Sequence, residues 1–142
     1  MPALNAKSKK QVLQELSDSA AKMADLPQRD IFDTLLQRER LGSTGVGQGV
    51  AIPHGKLAGL NRIVGIFARL EEPIDFDAVD GDPVDLVFLL LAPEGSGADH
   101  LKALARISRF LRSPNALEKL RKAKDASAIS AIFTEAATSH AA

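Results

Sequence analysis

The sequence predicts one α/β domain: a mixed β-sheet flanked by helices on both faces, a three-layer sandwich. Three observations point there. The run "VDLVFLLLAP", Val84 to Pro93, is almost continuously apolar, the pattern of a strand covered on both faces. A second run, "RIVGIFARL" from Arg62 to Leu70, is rich in β-branched and apolar residues. Segments with helical spacing precede, interleave with and follow these runs. At 142 residues a single domain spanning 1–142 is expected. A chain of that size buries roughly 68–70% of the surface its unfolded form exposes.

The elements follow in order. From Ser8 to about Asp25, the residues Val12, Leu13, Leu16, Ala20 and Met23 fall on one helical face, with Ser8 as N-cap. Pro27 breaks this run and opens the next helix near its first turn. In that helix Ile31, Phe32, Leu35 and Leu36 share a side, and Gly42 stops it. "GVAIPH" reads as a short buried strand ended by Pro53. "EEPIDFDAVDGDP" reads as loop and turn, punctuated by Gly81 and Pro83. After "EGSG", the helix "ADHLKALARISRFLR" places Leu101, Leu104, Ile107, Ser108 and Leu111 on one side. Arg106, Arg109 and Arg112 are expected to form a solvated face. Pro114 opens another helix, and a last one starts after Asp125. The tail 137–142, with His140, is expected to fray.

Composition excludes several classes. Eighteen basic residues balance eighteen acidic ones, which argues against a dedicated nucleic-acid or membrane-surface binder. There is no cysteine, so neither disulfides nor thiolate chemistry is available. "MPALNAKSKKQ" lacks the apolar core of a signal peptide, and no apolar run reaches the length of a membrane span. The expectation is a cytoplasmic protein with no nucleic-acid partner and no membrane insertion.

The unusual stretch is "GSTGVGQGVAIPHGK", Gly42 to Lys56, with five glycines and one of only three histidines. Familiar motifs do not fit it. Gly45, Gly47 and Gly49 give G-x-G-x-G rather than the dinucleotide pattern, and the helix comes before them instead of after. "GVAIPHGKL" has one residue too many between Gly49 and Gly55 for a P-loop, and Leu57 has no hydroxyl for a magnesium ion. "LGSTG" has Leu41 where a nucleophile elbow has its first glycine. His54 and His100 lack metal-site spacing, so no metal or cofactor is expected. What remains is a glycine-rich loop, a strand and His54. Successive glycines let backbone N–H groups face one anion, and they also let a partner approach closely. A neutral imidazole beside an anion-friendly loop suits a phosphoryl electrophile. A structural histidine packed behind Pro53 fits these residues equally well.

"RERLGSTGVGQGVAIPHGKL" resembles the active-site segment of enzyme IIA domains of the bacterial phosphoenolpyruvate-dependent phosphotransferase system. The resemblance is to the fructose/mannitol class and, within it, to the nitrogen-regulatory branch. It continues through "PIDFDAVDGDPVDLVFLLLAP" and "HLKALARISRFLR". It implies a mixed sheet flanked by helices. It implies that His54 accepts a phosphoryl group on Nε2 from the phosphohistidine of an HPr-like phosphocarrier. Arg38 and His100 map onto phosphate-stabilising positions. Without the resemblance, Arg38 reads as a solvated helix-end charge and His100 as a half-buried core histidine. Arg40, two residues on, should point elsewhere. Relatives usually carry a lead segment before the "SKKQ" helix, which here is missing or shortened.

The resemblance implies a phosphoryl-carrier regulator of nitrogen and potassium metabolism. Its regulated partners would be potassium transporters, sensor kinases or metabolic enzymes. Two other readings stand beside it. One is a sugar-specific IIA component passing phosphate to a IIB domain. The other is a non-catalytic protein-binding module in which His54 is never phosphorylated.

Overall fold

The computed structural model describes residues 4–132; the expectations for the tail and His140 lie outside them. The chain begins with α1 (Lys9–Ala24) and α2 (Gln28–Leu41). Ser8 caps α1 by accepting from the Gln11 N–H at 3.1 Å, and Asp25 ends it in the left-handed region at φ 54°. The buried stripe of α1 is Val12, Leu13, Leu16 and Ala20, while Met23 stands 50% exposed past its end. Pro27 is the N-cap of α2, and Ile31 and Leu35 are its buried residues.

Five strands follow: β1 (Gly45–Gly47), β2 (Val50–Ala51), β3 (His54–Leu57), β4 (Val64–Ile74) and β5 (Val84–Pro93). They form a mixed sheet centred on β5. β4 runs antiparallel along one side of β5, while β2 and then β3 run parallel along the other. The expected strand at "GVAIPH" therefore does not end at Pro53. It is interrupted there and resumes at His54. Pro53 has no N–H to donate, but its carbonyl still accepts from Leu90 at 2.9 Å, so the chain stays in register with β5. β4 also outruns its expected end, reaching Ile74 through "EEPI". Pro73 is tolerated because the pairing with β5 is irregular between Arg69 and Ile74. Leu4 lies along the outer edge of β4, donating to the Arg69 carbonyl at 2.8 Å and accepting from Glu71 at 3.0 Å.

The two faces of the sheet bury separate cores. Val87, Leu89 and Leu91 of β5 pack with Val64, Ile66 and Ala68 of β4 beneath α1 and α2. The alternate residues Leu86 and Phe67, with Val50 and Ile52, pack beneath α3 (Ala98–Phe110) and α4 (Pro114–Lys122). Period-two alternation thus sends neighbouring residues to opposite helical layers. Ser113 caps α4, and Arg69 of β4 donates to the carbonyls of Leu120 at 2.9 Å and Ala123 at 2.6 Å at its other end. A further helical stretch over 126–132 starts from Asp125, which caps the Ala128 N–H at 2.9 Å.

One face was misread from the sequence. The inward stripe of α3 is His100, Leu104, Ile107 and Leu111, and Leu101 is 63% exposed. A residue one position along a helix lies about 100° away, so a single step carried Leu101 off the core. Arg106, Arg109 and Arg112 are exposed, as expected.

Candidate active site

His54 opens β3 where the strand resumes after Pro53, and it is half-buried. Its Nδ1 lies 2.8 Å from the Ile52 carbonyl oxygen. A carbonyl only accepts, so Nδ1 carries the proton and Nε2 carries the lone pair. Arg38, in the last turn of α2, donates from Nε to that Nε2 at 3.3 Å. Its Nη1 donates to the Gly42 carbonyl at 2.9 Å, which anchors the guanidinium over the helix end. Both contacts to His54 require the same tautomer. It leaves the lone pair on Nε2, next to a fixed positive charge.

His100 completes the group. Its ring centroid lies 5.9 Å from that of His54, with the planes 44° apart. It is only 6% exposed. Burial lowers its pKa below the ordinary histidine value, and the nearby His54 and Lys56 lower it further when charged. Its imidazole is therefore neutral at pH 7. The three residues singled out in the sequence thus come together from α2, β3 and α3. Arg40 is exposed and takes no part.

The glycine stretch has a different job from the anion cradle that its composition suggested. Three of its amides are taken up by side chains of the protein. Thr44 donates to the Glu39 carboxylate, Gly45 to Ser43 Oγ at 3.0 Å, and Gln48 to Asp80 Oδ2 at 3.1 Å. The glycines serve close approach instead. A Cβ on Gly45 would stand 2.8 Å from Ala78 Cβ. One on Gly49, at φ +80°, would meet Arg121 Nη2 at 2.5 Å and Asp85 Oδ1 at 2.8 Å. The hairpin β1–β2 is thereby pressed against the 75–82 loop and β5, and this fixes the chain leading into His54.

Sequence reasoning missed Glu39. Its side chain is 4% exposed and takes an ion pair from Lys9 at 2.8 Å. It also accepts from the Thr44 hydroxyl and from the Thr44 N–H at 3.2 Å. Lys9 reaches Asp77 at 3.5 Å and lies 5.0 Å from the centre of the Phe76 ring. One carboxylate thus ties α1, α2 and the glycine hairpin together, directly beside Arg38. A signal was present: a carboxylate in the last turn of a helix opposes the macrodipole and needs compensation. Replacing Glu39 with alanine leaves the Thr44 N–H without its partner and the Lys9 ammonium with only the longer pair to exposed Asp77. The expected loss is about 3 kcal/mol, the low end for breaking a buried pair because Lys9 keeps some exposure. Thermal unfolding checks this, with a fall of roughly 10 °C expected for a domain of this size. A melting point within about 2 °C of the parent's would show that the clamp does not hold the hairpin.

Among the described residues no group of three or more His, Cys, Asp or Glu side chains is placed to hold a metal ion. No helix among them is long and apolar enough to cross a membrane.

Comparison with known proteins places this architecture. The fold is that of an enzyme IIA domain: the nitrogen regulatory protein IIA-Ntr of Neisseria meningitidis superposes with a TM-score of 0.88 at 40% identity, covering 92% of this chain and 89% of that one. Residues 2–136 match the family described as "Phosphoenolpyruvate-dependent sugar phosphotransferase system, EIIA 2", and the chain belongs to that family. A nitrogen regulatory protein of Bradyrhizobium diazoefficiens is 61% identical over 133 residues, 94% of this chain and 87% of the relative. A fructose-specific EIIA component of Haloferax volcanii is 37% identical over 129 residues, 90% of this chain and 84% of the relative. The family expected from the sequence and its nitrogen-regulatory likeness both stand.

Proposed function

We propose that His54 accepts a phosphoryl group on Nε2 from the phosphohistidine of an HPr-like carrier, and that the protein regulates partners through this modification. The observation that carries the reading is the Arg38–His54 contact on a ring whose Nδ1 is held by the Ile52 carbonyl. In the transfer, the Nε2 lone pair forms the new N–P bond as the N–P bond to the donor imidazole breaks. The proton stays on Nδ1 throughout, donated to the Ile52 carbonyl. Forming the bond uses the lone pair that Arg38 holds, so the guanidinium turns its N–H groups to the phosphoryl oxygens. Phosphoryl transfer needs little beyond positioning and charge stabilisation. A planar guanidinium offers both, with two donors in a fixed fork. His100, its ring centre 5.9 Å from that of His54, contributes a second polar group.

The test is incubation with enzyme I, the HPr-like carrier and phosphoenolpyruvate, followed by intact-mass measurement. One added phosphoryl group supports the reading. No uptake favours the protein-binding module instead. A sugar-specific role keeps a place because of the likeness to a fructose-specific EIIA component. It predicts that an added IIB domain discharges the phosphorylated protein, whereas a regulator retains its label.

Regulation rests on charge. Phosphorylation adds about −1.5 to −2 charges at pH 7. A partner such as a potassium transporter, sensor kinase or metabolic enzyme that docks over His54 then meets a different surface. Affinity for the two forms is expected to differ tenfold or more, measured by titrating one partner with phosphorylated and free protein. Equal affinities would mean no switch, since a modification without differential interaction shifts no equilibrium.

A further inference from the structure

Only two buried side-chain polar atoms among the described residues lack a hydrogen-bond partner: Ser96 Oγ and His100 Nδ1. They are four residues apart in the turn that leads into α3. The chain reverses there, with the Asp99 N–H donating to the Ser96 carbonyl at 3.1 Å. Gly97 is the helix N-cap, so Ser96 is the residue before the cap and His100 is the third residue of the helix. Those positions share one turn at a helix entrance. Two orphan atoms in the same turn are a chemical pair in one arrangement only. A hydroxyl can donate, and a neutral imidazole nitrogen without its proton can accept.

We propose that Ser96 is a positioning residue for His100, its hydroxyl donating to Nδ1 and so holding the proton of the imidazole on Nε2. This inference rests on the phosphoryl-acceptor reading of His54 for its consequence, though not for its test. A neutral imidazole has a single N–H. If that proton sat on Nδ1, it would be buried without an acceptor, and Nε2 would turn a lone pair toward an anion. With Nδ1 accepting from Ser96, the N–H is on Nε2 and can donate to a phosphoryl oxygen on His54, whose ring centre is 5.9 Å away. Seating the bond takes a rotation about the Ser96 Cα–Cβ bond. The serine lies in the short loop between β5 and α3, just before the N-cap Gly97. The groups whose positive charge acts on His100 are Lys56 and, when protonated, His54, both on β3. Both favour the neutral ring, in which the choice of tautomer matters.

The experiment is ¹⁵N–¹H correlation of the imidazole nitrogens in the full, unphosphorylated chain at pH 8, where the ring is neutral. Wild type and Ser96→Thr should show His100 as a single Nε2–H tautomer. Ser96→Ala should show a mixed or reversed population with its melting point unchanged. Phosphoryl transfer from the HPr-like carrier should then slow about fivefold in Ser96→Ala and recover in Ser96→Thr. An Nδ1–H tautomer in wild type, or an unchanged tautomer in Ser96→Ala, overturns the proposal. If wild type takes up no phosphoryl group, the acceptor reading of His54 fails, and the tautomer measurement still decides the role of Ser96.

Discussion

Replacing His54 with alanine is expected to abolish phosphoryl uptake and leave the fold intact. The ring sits at the mouth of the site and fills no core position. Its removal frees the Ile52 carbonyl and the Arg38 Nε–H, the latter on a half-buried side chain. The lost bonds cost about 1 kcal/mol each. That is a small part of the 5–15 kcal/mol typical of a domain, so folding should persist. Transfer has no substitute route through His100. That ring is 6% exposed, its Nδ1 is buried, and so little surface disfavours the in-line approach of a donor phosphohistidine. The measurement is retained label after incubation with enzyme I, the HPr-like carrier and phosphoenolpyruvate, alongside circular dichroism of the mutant. Label at the wild-type level on any other histidine would sink the assignment.

The fold was legible where the burial pattern is local. β5 reads off the sequence from Val84 to Pro93 because both its faces are covered, and α1 reads from Ser8 because cap and stripe agree. Features decided by distant partners were hidden. Pro53 looks like a terminus, and only pairing with Leu90 shows that the strand restarts at His54. The extension of β4 through Pro73 depends on an irregular register with β5. The site divides in the same way. The residues alone left His54 between nucleophile and packing, and made Arg38 a solvated charge. Family resemblance named both with His100, and the geometry then brought three separate segments within contact. Glu39 carried only the signal of a carboxylate at a helix end, because the partner that gives it meaning, Lys9, lies thirty positions earlier in the chain. The glycines misled in the opposite direction. Their composition suits an anion nest, but Glu39, Ser43 and Asp80 already take the amides of Thr44, Gly45 and Gln48.

Arg38→Ala is expected to slow phosphoryl transfer about a hundredfold or more at every pH between about 6 and 9, the scale of losing a charged donor to a transferring group. Guanidinium stays protonated over that whole range, so nothing about its contribution should titrate. Arg38→Lys keeps the charge but loses the fork, and only part of the rate should return. His100→Ala should behave differently. Burial first, then Lys56 and His54 when it is charged, lower the His100 pKa from its ordinary value, so in the free protein the neutral ring is favoured at neutral pH. An arriving phosphoryl group opposes that shift, since a nearby negative charge favours the protonated imidazole. Charge assistance from His100 therefore grows as pH falls, and fades as pH rises past the pKa of the complex. The His100→Ala defect should be largest near about pH 6 and shrink to the loss of one neutral hydrogen bond, about fivefold, by about pH 9. The measurement is the rate of transfer from the HPr-like carrier for each variant across that range. A pH-dependent Arg38→Ala defect would show that its guanidinium acts through a titrating partner rather than on the phosphoryl oxygens. A flat His100→Ala defect would leave the imidazole a neutral donor whose value is its orientation, which makes the Ser96 contact the more important of its two partners.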